Sequence, residues 1–271
     1  MHRSTRIAAV CGLVWIASIA MLALLASLLP LRSPVAIDLS HMLVPPNAQS
    51  WAGTDQLGRD VLSRLIFSAR ESLLVVLGAT SLSILLGTVL GCAAGYLGGI
   101  ADRLLGILID VSWSVPFIVF VVLIVSVTGV SPATLILSIG LLNWVTSARV
   151  FRAQAATIRR QDFVRTARAY GYGEWQIVFR TVLPNLRSTV LTLAAYGAVE
   201  VLTLETGLAF IGLSLPAPNP TWGGMLADGA SYFAAAWWIV AGTTIAVTLT
   251  LASFQVIARR FERDLFSQPG N

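Results

Sequence analysis

The stretch VRTARAYGYGEWQIVFRTVLPN, residues 164–185, interrupts a chain that is otherwise mostly apolar. It contains three arginines, a Gly-x-Gly pair and a terminal Pro-Asn, and long apolar runs lie on both sides of it. A polar, basic segment between two apolar runs is typical of a loop that joins membrane-spanning helices. The fold therefore depends on how many such helices there are, and on which side of the membrane this segment lies.

The composition is that of a membrane protein. The chain has 271 residues, of which 56% are hydrophobic and 11% charged, whereas a soluble domain usually carries about 25% charged residues. All 18 basic residues are arginine. A Walker A loop needs a lysine to reach the nucleotide phosphates, so a standard P-loop ATPase is excluded. The missing lysine also excludes Schiff-base and Ser-Lys mechanisms.

Histidine and cysteine are too sparse for the usual catalytic or metal sites. Cys11 and Cys92 lie in apolar runs without a C-x-x-C spacing, and His2 and His41 lie near the N-terminus. The sequence therefore predicts no metal site, no catalytic residues and no enzyme activity in this chain. The net charge of +5 comes from arginines placed between apolar runs, so it indicates membrane topology and not a nucleic-acid partner.

Six apolar runs reach the roughly 20 residues that a spanning helix needs. They cover residues 7–29, 73–96, 113–131, 132–151, 188–214 and 233–257. The first run is too long for the apolar part of a signal peptide and no A-x-A-like site follows it, which indicates an uncleaved anchor. The sequence predicts an all-α membrane protein with six transmembrane helices.

The arginines set the expected orientation. With the N-terminus inside, 14 of the 18 arginines fall on the inner side, as the positive-inside rule requires. Both termini and the loop 152–187 are then cytoplasmic. The predicted segments are listed here: 1–29, an N-terminal tail and first transmembrane helix; 30–72, an extracytoplasmic segment with a short amphipathic helix; 73–257, a core of five transmembrane helices that includes loop 152–187; and 258–271, a cytoplasmic C-terminal tail.

Residues 162–184 predict two short amphipathic helices joined by a glycine elbow. Asp162 can cap the first helix, and Gly171 and Gly173 can end it because glycine adopts positive φ without steric cost. Pro184 is expected to end the second helix. The apolar faces expected at helical spacing are Phe163, Val164, Ala167 and Tyr170, followed by Trp175, Val178, Phe179 and Val182. Such a hairpin either lies on the anionic lipid of the inner leaflet or docks a soluble partner.

The hairpin resembles the EAA loop of ABC importer permeases, in which a helix–Gly–helix hairpin fits a groove on the ATPase subunit. The family's Glu-Ala-Ala stands here as Arg165-Thr166-Ala167, its glycine as Gly171, and its distal His-x-Leu-Pro as Thr181-Val182-Leu183-Pro184. The resemblance assigns ATPase coupling to Arg165, Thr166, Ala167, Tyr170, Gly171, Tyr172, Gly173, Trp175, Leu183 and Pro184.

Three further stretches resemble the C-type permease of the dipeptide, oligopeptide and nickel importers. They are GTDQLGRDVLSRLIFSARESL (53–73), RLLGILIDVSWSVP (103–116) and ETGLAFIGLSLPAPNPTWGGML (205–226). The resemblance implies a type I importer fold in a bacterial cell membrane. It also implies three partners: a second homologous permease, an ATP-binding-cassette ATPase as two chains or one fused chain, and an extracytoplasmic solute-binding protein. ATP and Mg would be bound by the ATPase, with no cofactor on this chain.

Individual polar residues leave alternatives open. Glu200 and Glu205 lie in the fifth apolar run, where they either line the pathway or a gate, or satisfy neighbouring groups, Glu205 near the outer interface. On the outer side, Asp55, Arg59, Asp60 and Trp222 are candidate contacts for the binding protein, or an exposed interfacial helix with ion pairs and a belt tryptophan. Gly87, Gly91 and Gly95 form a small-residue stripe that predicts close helix packing, within the chain or against the second permease.

Three functions are compatible with these observations. The resemblance favours the pathway subunit of an ATP-driven importer, which works by alternating access while partner ATPases dock on residues 162–184. The alternative is a stand-alone proton-coupled carrier that uses Glu200 and Glu205 as relay groups. Its six helices without evident repeats argue against it, because many carriers have repeated halves. An intramembrane enzyme is disfavoured by the lack of a His or metal cluster.

Overall fold

The computed structural model describes residues 2–216 and 218–266. Its elements are helices, as the sequence predicts. In chain order they are α1 (His2–Leu25), α2 (Val61–Leu97), α3 (Gly99–Ser114), α4 (Phe117–Thr128), α5 (Pro132–Ile158), α6 (Asp162–Ala169), α7 (Glu174–Ile177), α8 (Leu183–Asn185), α9 (Arg187–Phe210), α10 (Trp222–Ser231) and α11 (Trp237–Phe266). A short 3-10 turn covers Leu39–His41, and a π-turn over Val178–Val182 joins α7 to α8.

Five helices in the described part are long and apolar enough to cross a membrane. They cover Ile7–Leu25, Val61–Leu97, Pro132–Ile158, Arg187–Phe210 and Trp237–Arg263. Counting α3 and α4 together as one bent span gives six, which agrees with the predicted number. The side on which each terminus lies stays a prediction from the arginine bias.

The third predicted span, residues 113–131, is wrong as a single helix. α3 ends at Ser114, α4 begins at Phe117, and their axes differ by 81°. Pro116 accounts for the break, because proline lacks an amide hydrogen and drives the residue before it towards extended backbone. Val115 accordingly has φ −91° and ψ 122°. At 12 residues, α4 is shorter than the roughly 20 residues that a straight span needs.

α2 is longer than the sequence suggested. It runs without a break for 37 residues, and its N-cap, Asp60, accepts a hydrogen bond from the Ser63 amide at 2.8 Å. The expected short outer helix of segment 30–72 is therefore the first part of α2, and the expected boundary before residue 73 falls inside it. At 1.5 Å per residue α2 is about 55 Å long, well beyond a hydrocarbon core of about 30 Å.

The glycine stripe on α2 packs within the chain, against α5. A side chain at Gly91 would place its Cβ 2.6 Å from the Ala148 carbonyl oxygen, and one at Gly95 would collide with the Arg152 backbone. Small residues here let the two backbones approach closely. α2 and α5 consequently share the most extensive helix contact in the described structure.

The other long helices surround this pair. α9 packs against α11 and α2, and α10 fits between α9 and α11. α1 lies outermost along α11, where the Trp15 Nε1 donates to the Thr250 hydroxyl at 3.0 Å. α11 continues to Phe266, so the predicted C-terminal tail 258–271 begins as helix, and its residues 267–271 lie outside the described residues.

Candidate functional site: a coupling hairpin and a membrane cavity

The elbow of the hairpin lies at Gly171, as the sequence predicts. Gly171 has φ +82°, and its amide donates to the Arg168 carbonyl at 2.9 Å. The Tyr172 amide donates to the Ala167 carbonyl at 3.2 Å. These two bonds form a Schellman cap, which ends a helix with one residue in the left-handed region. The sequence also predicts positive φ at Gly173, but the φ of Gly173 is −66°.

The buried face of the hairpin differs from the predicted one. Val164, Ile177, Val178 and Val182 are buried, in a cluster with the end of α2 around Cys92 and Tyr96 and the end of α5 around Phe151 and Ile158. The second helix contains the π-turn, in which the Leu183 amide reaches the Val178 carbonyl. A π-turn adds one residue to a helical turn, so Val178 and Val182 still face the core, but Ile177 replaces Trp175 beside them. Helix then continues through Pro184, which therefore does not end it.

The hairpin exposes five aromatic side chains, which we call the aromatic face. Trp175 is 59% exposed and stacks on Phe179 with ring centroids 6.3 Å apart. The complete set is Phe163, Tyr170, Tyr172, Trp175 and Phe179. Exposed apolar patches of this kind mark interaction sites.

A polar network ties the hairpin to α2. The Glu174 carboxylate accepts from the Tyr96 hydroxyl at 2.6 Å and from the Arg168 Nε at 2.9 Å. The Arg168 guanidinium also donates to the Tyr96 hydroxyl at 3.2 Å. The hydrogen bonds from Arg168, and next from Tyr96, lower the pKa of Glu174. Sequence reasoning missed this network because Tyr96 is 78 residues from Glu174, and only the fold brings them together.

The other residues assigned to coupling divide into two groups. Ala167 and Leu183 are partly buried and pack on the hairpin's core. Arg165, Thr166 and Pro184 are exposed. Arg165 lies 3.5 Å from the Asp162 carboxylate, and the Thr166 hydroxyl donates to the Asp162 carbonyl at 2.9 Å. Tyr170, Tyr172, Trp175, Gly171 and Gly173 are exposed as well, so eight of the ten predicted residues are accessible to a partner.

A cavity of about 620 Å³ opens where the third span is broken. Residues on both sides of the break line it, and α5 and α9 complete its wall. Its polar lining residues are Ser112, Asn143, Thr146, Glu200 and Thr203. The structure thus places Glu200 in the cavity wall, which favours the pathway interpretation for this residue.

Glu205 lies elsewhere. It is 3% exposed, beside the first turn of α10, and its Oε2 has no hydrogen-bond partner in the described structure. Five residues along an α-helix rotate a side chain by about 500°, so the two glutamates point roughly 140° apart. The structure therefore does not bring Glu200 and Glu205 together as the relay pair that a proton-coupled carrier was expected to use.

The four residues expected to touch a binding protein are mostly interior. Asp55 is 1% exposed and binds the Arg59 Nε at 2.7 Å as well as the Arg64 guanidinium. Asp60 caps α2, and the Trp222 indole donates to the Leu65 carbonyl at 3.1 Å. Burial inside the chain keeps Asp55, Asp60 and Trp222 from facing a partner in this structure. Arg59 is only partly accessible.

Within the described residues, no cluster of three or more His, Cys, Asp or Glu side chains could hold a metal ion. The Glu174 carboxylate is paired with Arg168, and the buried Asp55 carboxylate is paired with Arg59 and Arg64.

Comparison with known proteins agrees with this geometry. The family described as "Binding-protein-dependent transport system inner membrane component" matches residues 87–267. The dipeptide transport system permease protein DppC of Alkalihalophilus pseudofirmus is 32% identical over 249 residues, which cover 92% of this chain and 82% of that protein. The oligopeptide transport system permease protein OppC of Bacillus subtilis is 30% identical over 227 residues, 84% of this chain and 74% of that one.

A third relative is the probable D,D-dipeptide transport system permease protein DdpC of Escherichia coli. It is 31% identical over 225 residues, 83% of this chain and 76% of its own length. These proteins are permease components of ABC importers, so the comparisons support the importer and give no support to a proton-coupled carrier. This chain belongs to the family of binding-protein-dependent transport system inner membrane components, as a bacterial membrane permease subunit of the peptide ABC importer type.

Proposed function

We propose that this chain forms half of the pathway of a peptide importer. A second homologous permease forms the other half. An ATP-binding-cassette ATPase, as two chains or one fused chain, holds residues 162–184 and binds ATP and Mg, and an extracytoplasmic binding protein delivers the cargo. The three relatives described above are named for dipeptide, D,D-dipeptide or oligopeptide transport, which supports peptides as the cargo class.

The observation that carries this proposal is the aromatic face on an anchored hairpin. An ATPase can move a membrane helix only through a contact that is both adhesive and stiff. The exposed rings supply the adhesive surface, since aromatic residues are enriched among binding hot spots. The Glu174 network and the buried valines supply the stiffness, because they fix the hairpin to α2 and α5.

A continuous path leads from the hairpin to the cavity. Tyr96 lies at the inner end of α2, and α2 is packed against α5 along the glycine stripe. α5 in turn contributes Asn143 and Thr146 to the cavity wall. Movement of the hairpin when the ATPase dimer closes would tilt this helix pair as a unit, which is the physical requirement of alternating access.

The receiving surface for the binding protein is proposed to lie on exposed parts of the outer segment. Trp51 is 77% exposed there, next to the interior formed by Asp55 and Arg64. We also propose that the exposed apolar side chains of the spanning helices face either lipid or the second permease.

The test removes two rings of the aromatic face. In the Trp175→Ala, Phe179→Ala double variant, we expect at least about tenfold weaker retention of the ATPase, as for loss of an interface hot spot. Peptide uptake should fall in parallel. Ile100→Ala is the matched control, because Ile100 is also a highly exposed apolar side chain near the predicted inner surface. Full ATPase retention by the double variant would contradict the proposed docking surface.

A further inference from the structure

We propose that Glu200 accepts the ammonium group at the amino terminus of a peptide while the peptide passes through the cavity. This inference rests on the proposed function, and it adds the chemical group of the cargo that the cavity recognises. It would make Glu200 a cargo-binding residue of the pathway.

The position of Glu200 suits contact with a passing ligand. α9 begins at Arg187, so at 1.5 Å per residue Glu200 lies about 20 Å along a helix that spans the membrane. It lines the 620 Å³ cavity and is exposed there. Ligand pockets commonly have volumes of about 300–1,000 Å³, so the cavity can admit a small peptide.

The charge of Glu200 has no partner within the chain. Among the described residues, none forms an ion pair or a hydrogen bond with its carboxylate. Arg149, a cation close to this cavity, lies over the Trp113 ring at 4.5 Å and 3.7 Å from the Asp110 carboxylate. A charged group inside a membrane protein is costly unless it is paired or faces water. An incoming cation would supply that pairing.

Two hydroxyls of the lining favour a group that is rich in hydrogen-bond donors. The Ser112 hydroxyl donates to the Leu108 carbonyl at 2.8 Å, and the Thr203 hydroxyl donates to the Val199 carbonyl at 2.8 Å. Each hydroxyl donates its single hydrogen in this bond. Its oxygen can then only accept a hydrogen bond from a ligand in the cavity. A carboxylate and two acceptor hydroxyls together complement an ammonium group, which offers three donors and no acceptor.

An amino-terminal ammonium is shared by peptides whose side chains differ. Most of the remaining cavity wall is apolar, including Trp113, Pro116 and Leu208, and such a surface contacts side chains without selecting among them. One charged anchor in an apolar cavity would hold many peptides in a common orientation.

The test uses the complete transporter and its binding protein in proteoliposomes. The probes are dipeptides with a free amino terminus and a diazirine analogue of leucine as the second residue. Uptake of these probes is measured first, and light-induced crosslinks to α5 and α9 are then mapped by mass spectrometry. In Glu200→Gln we expect crosslinking at the cavity and the number of peptides carried per ATP each to fall about tenfold, the effect of losing a charge-assisted hydrogen bond.

Two further variants provide the controls. Glu262→Gln removes a carboxylate that accepts from the Tyr196 hydroxyl at 2.9 Å, outside the cavity wall, and should behave as wild type. Glu200→Asp keeps the charge and should recover part of the uptake. Retention of the second permease should be the same in all variants, and Glu262→Gln should also keep wild-type basal ATPase activity.

Each other result overturns the inference in a distinguishable way. Wild-type crosslinking or uptake in Glu200→Gln would show that Glu200 does not hold the cargo, with the importer function intact. Loss of the second permease from the Glu200→Gln complex would assign this carboxylate to the permease interface instead. Failure of the wild-type complex to take up any of the dipeptides would contradict the proposed peptide function itself.

Discussion

The segment between α1 and α2 and the hairpin of residues 162–184 are both polar interruptions of an apolar chain, yet they use their residues in opposite ways. The segment before α2 buries Asp55, which pairs with Arg64 in the first turn of α2. The hairpin exposes its largest aromatic rings and keeps valines inside. The polarity of a segment in the sequence therefore does not show which of its side chains are available to a partner. The buried charges hold the segment before α2 together, whereas the exposed rings of the hairpin remain available to another protein.

The largest expected effect would test the structural role of the buried charges at Asp55. Asp55→Asn leaves Arg59 and Arg64 without their common carboxylate, and Arg64 is only 8% exposed at its side chain. Breaking a buried pair from one side costs about 3–5 kcal/mol. We expect a correspondingly lower free energy of unfolding, measured by thermal or denaturant unfolding in detergent.

The matched control for Asp55→Asn lies in the same segment. Asp38 pairs with His41, but both side chains are at least half exposed, and exposed pairs contribute little to stability. Asp38→Asn should therefore unfold almost as wild type does. Equal stability of the two variants would contradict the contrast between buried and exposed charge.

The next effect concerns the elbow of the hairpin. Gly171→Val introduces a branched side chain at φ +82°, which costs about 1–2 kcal/mol in the left-handed region. No atom lies within 4 Å of the Cβ position, so the cause is backbone strain and not a clash. We expect more ATP to be hydrolysed per peptide carried, measured by parallel ATPase and uptake assays.

Gly173 offers a control at almost the same place. Its φ of −66° suits any residue, and its Cβ position is equally open. Gly173→Ala should keep wild-type coupling. If Gly171→Val also keeps it, the elbow is not the point at which ATPase movement reaches the membrane helices.

The smallest expected effect is a pH dependence of the hairpin anchor. The folded-state pKa of Glu174 is below its ordinary value of 4.5 because of Arg168 and Tyr96. The ionised carboxylate therefore stabilises the hairpin fully above that ordinary value, and the contribution is lost as pH falls through the lower folded-state pKa. Hydrogen-exchange protection around residues 168–178, corrected for the intrinsic pH effect on exchange, should decrease below about pH 4.5.

Glu174→Gln should remove this pH dependence, because the amide does not titrate. Its protection at neutral pH should be somewhat below that of wild type. A hairpin whose corrected protection is independent of pH in wild type would show that the polar network does not hold it to α2.

The sequence by itself determined most of the architecture. Its apolar runs gave the number of spans, because a bilayer requires about 20 apolar residues per straight helix, and Gly171 marked the elbow because few other residues accept its backbone conformation. Its motifs also identified the family, which the comparisons confirm.

The tertiary structure decided which side chains face inward. One extra residue in the π-turn put Ile177 in the core in place of Trp175, and the Pro116 break turned one predicted helix into a bent pair around a cavity. Glu174 met Tyr96, and Glu200 reached the cavity while Glu205 did not, through packing between distant parts of the chain. Local spacing fixes a helix, but only contacts between helices fix which of its faces is buried.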